Sequence, residues 1–210
     1  MQVEKIISTL KKEYPGTKYY LDFSNPLELV VAAILSAQCR DTVVNSVTKN
    51  IFKKYRTAND YANAPLNQFE NDIKSITFFK NKAKNIVEAC KIIADKHGGN
   101  VPNTMDELIQ LPGIGRKTSN AILINAFDKV EGVVVDTHVI RLAQRFGWTK
   151  QKNPEKIEKD LMAIVPKKEW KSLPHLMKDH GRALCKAPVP ECNKCFLNKL
   201  CPKHGVTKSL

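Results

Sequence analysis

The sequence predicts an all-α protein, and three observations predict it. Apolar residues recur at helical spacing through most of the chain, the period of helices that bury one face. Cap residues and breakers fall where those segments must start and stop. No alternating apolar and polar run appears beyond Val133-Val134-Val135, which also reads as buried loop.

Val3, Ile6, Ile7 and Leu10 follow an i, i+3, i+4, i+7 pattern, and Pro15-Gly16 ends that first helix. Asn25-Pro26 opens the next, with Asn as cap, Pro in the first turn and Glu28 three residues after the cap. Residues 27–35 are nearly all apolar, which marks a central helix stopping near Ser36-Ala37-Gln38. Asp41 reads as the cap of a helix carrying Val43, Val44, Val47, Ile51 and Phe52. Pro65 opens a helix that runs to about Ile76. Phe78-Phe79-Lys80-Asn81-Lys82 reads as an exposed joint before a helix over 83–94, closed by Gly98-Gly99. A short helix opens near Thr104, and Leu108 and Leu111 close its apolar face. Further helices are predicted over 117–126 and 137–146, from Asn153-Pro154, and over about 169–184.

The chain is organised around Leu111-Pro112-Gly113-Ile114-Gly115-Arg116-Lys117-Thr118. Pro112 cannot continue a helix, because its ring lacks a donor and crowds the preceding turn. Gly113 and Gly115 permit positive φ and a close backbone approach to a partner. Unpaired N–H groups at the start of the following helix then form a site for an anion such as phosphate. Lys117 places an amine beside that cradle, and Asp136 follows nineteen residues later. Asp136 is also a natural cap for the helix over 137–146. His138 reads as packing or hydrogen bonding.

Composition agrees with a polyanionic partner. The 210 residues, 42% hydrophobic, suffice for one large domain or two small ones. The formal net charge of +13 favours nucleic acid as that partner. No apolar run approaches the ~20 residues of a membrane span, and the N-terminus lacks a signal-peptide core. A reducing, cytoplasmic setting is therefore expected. There, clustered cysteines point to metal rather than disulfides. Cys185, Cys192, Cys195 and Cys201 form C-x6-C-x2-C-x5-C. Four thiolates at that range suit zinc or an iron–sulfur cluster. Cys39 and Cys90 stand apart and read as buried small hydrophobes.

LPGIGRKTSNAIL followed by VDTHVIRLAQRFGW resembles the helix-hairpin-helix DNA glycosylases, and most closely the endonuclease III family. The likeness covers nearly the whole chain, and the cysteine spacing is that of the family's 4Fe-4S cluster. It implies a two-domain fold: a bundle of about six helices over 20–131, and an iron–sulfur domain from 1–19 with 132–210. The active site would lie in the cleft between them. It implies Lys117 as nucleophile and Asp136 as the catalytic carboxylate. Burial and a helix N-terminus would both favour the neutral amine that Lys117 needs. Gln38 matches the family glutamine that enters the helix, though a polar helix end explains it too. Phe78 stands where the family has an apolar wedge, with Thr77 where a glycine is common. Gly113, Gly115 and Arg116 would face the DNA backbone. Asp41 matches a family carboxylate near the site.

The implied activity is a bifunctional DNA glycosylase and apurinic/apyrimidinic lyase of base excision repair. Its partner would be duplex DNA with an oxidised or ring-saturated pyrimidine or an abasic site, bound by a monomer. A mismatch-specific glycosylase and a non-catalytic iron–sulfur DNA-binding module share most of these features. One departure stands out. The family's often basic loop between the first two cluster cysteines is here Lys186-Ala187-Pro188-Val189-Pro190-Glu191, with one cation and one anion.

Overall fold

The structure, a computed structural model, describes residues 2–210. Among the described residues there are eleven α-helices, two short 3-10 turns and no strand, so Val133-Val134-Val135 is loop. The chain divides into two compact units, each with its own core. One comprises Met1–Lys18 and Val130–Leu210. It holds α1 (Gln2–Glu13), α9 (Thr137–Arg145), α10 (Pro154–Ile164) and α11 (Leu173–Ala183). The other, Tyr19–Lys129, holds α2 (Pro26–Ser36), α3 (Asp41–Lys54), α4 (Ala58–Ala62), α5 (Leu66–Asp72), α6 (Phe79–His97), α7 (Met105–Leu108) and α8 (Arg116–Phe127).

In the 19–129 unit, α2 is the axis. Asn25 caps it, its Oδ1 accepting the Glu28 N–H at 2.9 Å. The Glu28 carboxylate reaches back to the Ser24 backbone N–H at 2.6 Å and hydroxyl at 2.7 Å. Every residue from Leu29 to Leu35 is buried, so α2 has no solvent face, and α3, α6 and α8 pack around it. Along α6 the buried stripe is Ala83, Ile86, Ala89, Cys90 and Ile93. Its end is set by Gly98 at φ +59°, whose N–H returns to the Ile93 carbonyl. Cys90 is wholly buried and its thiol is pushed up to about 12 by that burial, as a small hydrophobe behaves; Cys39 is half-buried.

Three expectations are corrected here. Asp41 is the first residue of α3, not its cap; Arg40 holds that place without a side-chain bond. An acidic first-turn residue still complements the helix dipole. The helix after Pro65 stops at Asp72, and a separate short α4, opened by a Thr57–Asp60 capping box, precedes it. The exposed joint reduces to Phe78, because α6 begins at Phe79 and Lys82 is buried.

In the other unit, α1 buries Ile6, Ile7 and Leu10 and packs on α11. Asn153 caps α10 by accepting from the Glu155 and Lys156 N–H groups at 2.9 and 3.1 Å. The last helix starts at Leu173 rather than near Glu169. Pro174 explains the shift: a proline is tolerated in the first helical turn and not further in. No helix among the described residues is long and apolar enough to cross a membrane.

Phe69 locks α5 into this packing. It is fully buried, edge-on to Tyr55 and Tyr61 at 5.4 and 5.7 Å, while those two rings stack at 5.0 Å. Phe69→Ala is expected to lower unfolding free energy by about 3–5 kcal/mol, read from denaturant midpoints. A loss below ~1 kcal/mol would remove the ring from the core's essential packing.

Candidate active site

The glycine hairpin joins α7 to α8. Ile114, 5% exposed, plugs it into the core, and its N–H bonds the Leu111 carbonyl at 3.1 Å. Gly113 has φ +81°, and a Cβ there would come within 3.0 Å of Asn85 Nδ2 and 3.2 Å of Asn85 Cβ. Both conformation and packing therefore require glycine at 113. Gly115 differs: its φ is −105°, and a Cβ would meet nothing within 4 Å. The expectation of positive φ thus holds at Gly113 alone. Gly115 is the N-cap of α8, and no side chain caps that end, so N–H groups of the first turn face outward. Arg116 and Lys117 are the first two residues of α8, and both are exposed. The burial anticipated for Lys117 is absent; its place at a helix N-terminus is present.

Gln38 and Phe78 share an uncommon backbone. Gln38 has φ +52° and Phe78 φ +57°, left-handed values rare outside glycine. Both are exposed, Phe78 to 61%. Lys82 lies between them, 6% exposed. Its Nζ donates to the carbonyls of Leu35 at 2.8 Å and Ala37 at 2.6 Å, and its backbone N–H donates to the Phe78 carbonyl at 3.2 Å. Burial pushes its ammonium below the ordinary lysine range. The sequence carried a signal for this burial. Lys82 stands four residues before Ile86 and seven before Ala89, on the apolar stripe of α6.

Asp136 is half-buried and caps α9, accepting the Val139 N–H at 2.8 Å. Near it, Arg141 Nη2 contacts His138 Nδ1 at 3.1 Å and donates to the Gly181 carbonyl at 3.1 Å. A guanidinium only donates, so His138 Nδ1 accepts and the proton sits on Nε2. His138 is hydrogen-bonded, and burial holds its pKa below the ordinary value. Gly181 makes room for this contact, since a Cβ would lie 2.7 Å from His138 Nδ1 and 2.9 Å from Arg141 Nη2.

Cys185, Cys192, Cys195 and Cys201 are free thiols lining one small cavity with Arg145, His180 and Lys203. Among the described residues, no three His, Cys, Asp or Glu side chains converge closely enough to hold a single metal ion. Burial, aided by the neighbouring thiols, pushes Cys195 up to about 11 and also raises Cys201, so a thiolate at either position calls for a cationic partner. Buried Arg145 already supplies one positive charge, donating to Cys185 Sγ at 3.2 Å and to the carbonyls of Cys185, Lys186 and Pro188. In the loop between the first two cysteines, Lys186 is paired to Glu191 at 2.6 Å, and Lys194 joins at 3.1 Å.

The chain is similar to known proteins. The sequence profile of the HhH-GPD superfamily base excision DNA repair proteins matches residues 31–167. Endonuclease III of Synechocystis is 48% identical over 94% of this chain and 90% of its own. Endonuclease III of Bacillus subtilis is 45% identical over 95% and 91%. A solved structure of a trapped endonuclease III–DNA covalent intermediate, an estranged-adenine complex, superposes with a TM-score of 0.91 at 44% identity, covering 96% of this chain and 95% of that one. A thermostable thymine-DNA glycosylase shares the fold at a TM-score of 0.86 and 21% identity.

His175, in the α9–α11 region, supplies a pH prediction. Its pKa falls from 6.5 to about 4, chiefly through burial and then Lys178, with Asp136 opposing. The unfolded side chain takes up a proton near 6.5 that the folded one refuses until about 4. Stability should therefore fall as pH drops across that window and be indifferent to this group outside it. His175→Gln should flatten the decline in denaturant midpoint between those limits. An unchanged slope would assign the acid sensitivity elsewhere.

Proposed function

The chain belongs to the HhH-GPD superfamily of base excision DNA repair proteins, and we propose that it is a bifunctional DNA glycosylase and apurinic/apyrimidinic lyase. The observation that carries this is Lys117, exposed in the first turn of α8 directly after a glycine hairpin with no capping side chain, in a chain similar over 94% of its length to endonuclease III. Its substrates are oxidised or ring-saturated pyrimidines such as thymine glycol.

The reaction follows from the residues. Outward N–H groups of the hairpin, with Arg116, grip backbone phosphate. The target nucleotide leaves the stack, Gln38 offers donor and acceptor to the orphaned base, and Phe78 wedges the gap. Breaking the base–sugar bond builds positive charge on deoxyribose, and the Asp136 carboxylate stabilises that charge. The neutral Lys117 amine bonds to the anomeric carbon as the base–sugar bond breaks and the base leaves with a proton from water; the resulting ammonium passes a proton to the ring oxygen, the C1′–O4′ bond breaks, and a Schiff base forms. The imine acidifies the adjacent carbon; loss of that proton expels the 3′ phosphate by β-elimination.

The four cysteines fit a 4Fe-4S cluster better than one zinc ion. They line one shared cavity at the spacing the endonuclease III likeness gives to that cluster, and the Arg145 guanidinium would offset the anionic charge of a four-thiolate cluster. Cys185, Cys192, Cys195 and Cys201 would hold it. When bound it orders the C-terminal tail, and the lyase chemistry needs no redox step.

Duplexes carrying thymine glycol, uracil, a G·T mismatch or an abasic site, assayed for strand cleavage, test the activity. Cleavage at thymine glycol and abasic sites is expected. Cleavage at G·T alone indicates a mismatch enzyme, and none at all a binding module. Lys117→Gln should abolish the borohydride-trapped protein–DNA adduct; persistent trapping would move the nucleophile elsewhere. Asp136→Asn should keep stability within about 0.5 kcal/mol, since Asn caps as well as Asp, while turnover drops on the order of 100-fold. Normal turnover in that variant would leave Asp136 a cap only. The purified protein should be brown with broad visible absorption and bind iron. A colourless protein with a single zinc would defeat the cluster.

A further inference from the structure

The carbonyls at the end of a helix lack intrahelical partners and must be satisfied otherwise. In α2 most of these are accounted for. The Ser36 hydroxyl donates to the Ala33 carbonyl at 2.8 Å, and the Cys39 N–H donates to the Ser36 carbonyl at 3.1 Å. The Leu35 and Ala37 carbonyls take the Lys82 ammonium at 2.8 and 2.6 Å. The next residue is Gln38, in left-handed backbone. The same lysine, through its own N–H, makes the first helical bond of α6 to the carbonyl of Phe78, the other left-handed residue.

Stability alone does not call for this arrangement. Burying an ammonium against carbonyls, without a carboxylate, is costly. A glycine cap would end α2 as well, and an apolar side chain would fill the stripe of α6. What the lysine adds is a fixed relation between two exposed positions that no shared helix connects. We propose that Lys82 is a positioning residue for base extrusion: it sets the spacing of Gln38 and Phe78 so that both fill the gap in one step. The inference rests on the glycosylase reading above, and it assigns Lys82 no contact with DNA.

The test compares an abasic site in duplex DNA with the same strand alone. The single strand has no orphaned base and no gap, so Gln38 and Phe78 have nothing to fill there. Single-turnover cleavage is measured for Lys82→Met, Lys82→Arg, Gln38→Ala and the Lys82→Met/Gln38→Ala double variant. Lys82→Met should lower the duplex rate at least tenfold more than the single-strand rate. Lys82→Arg, which keeps donors for both carbonyls, should recover most of the loss. The double variant should be no slower on duplex than the slower single one. 2-Aminopurine opposite the lesion should brighten on binding to wild type and much less with Lys82→Met. Equal losses on both substrates, or multiplicative losses in the double variant, would overturn the positioning role. Should Lys82→Met not fold by circular dichroism, Lys82→Gln gives the same comparison. A wild-type protein that cleaves neither substrate would overturn the enzyme reading itself, a distinguishable result.

Discussion

Helix α2 is buried on every side, and that constraint governs the unit around it. Water reaches the flanking residues, since Asn25, Ala37 and Gln38 are exposed, but the Leu35 carbonyl lies in the buried stretch and cannot rely on solvent. That end of α2 must be finished by other parts of the protein, and here the finishing group is the Lys82 ammonium on α6. The three elements packed on α2 are α3, α6 and α8. Of these, α6 presents Phe78 at its start and α8 presents Lys117 in its first turn, while α2 itself runs out into Gln38. The groups proposed to meet DNA are thus element ends, held by the packing of one apolar rod. Rigid helices locate such ends more sharply than free loops do.

Most of the helices were legible because their starts obey local chemistry. Asn25, Thr104, Asp136 and Asn153 each sit before an apolar period and each accepts a backbone N–H in the folded chain. What escaped were features that local chemistry does not encode. Helix α4 has five residues, too short for a 3.6-residue period to show. Asp41 has the right side chain for a cap, yet the chain turns one residue earlier, at Arg40. Lys82 looked exposed because lysine usually is; its position on the stripe said otherwise, and only tertiary carbonyls make that burial tolerable. At the hairpin, the break between two helices at Leu111 to Lys117 was readable, but the separate reasons for its glycines were not. Gly113 answers to φ and to Asn85, whereas Gly115 answers to nothing inside the protein.

The net charge of +13 overstates what is available to a nucleic acid. Arg141 and Arg145 spend their guanidinium donors on backbone carbonyls around Cys185 and Gly181. Lys186 and Lys194 share Glu191, so the inter-cysteine loop presents less charge than its lysine suggests. On the proposed reading, phosphate binding would then fall more heavily on the first-turn N–H groups of α8, whose start no side chain caps. Backbone amides hold register without long flexible side chains, and a helix N-terminus favours an anion in the same place.

That division bears on how Lys117 would become the nucleophile proposed for it. In the free chain its side chain is in water, where an ammonium is well solvated. Loss of that water, which favours the uncharged amine, must come with the bound strand rather than with folding. The same strand brings a phosphate to the hairpin, and its negative charge works the other way. An extruded sugar that covers the amine and excludes water therefore has to outweigh the phosphate it arrives with. Extrusion and activation become one event on this view. If Gln38 and Phe78 fill the gap as proposed, they would contribute to the chemistry without touching the sugar, because only a fully extruded nucleotide would desolvate the attacking amine.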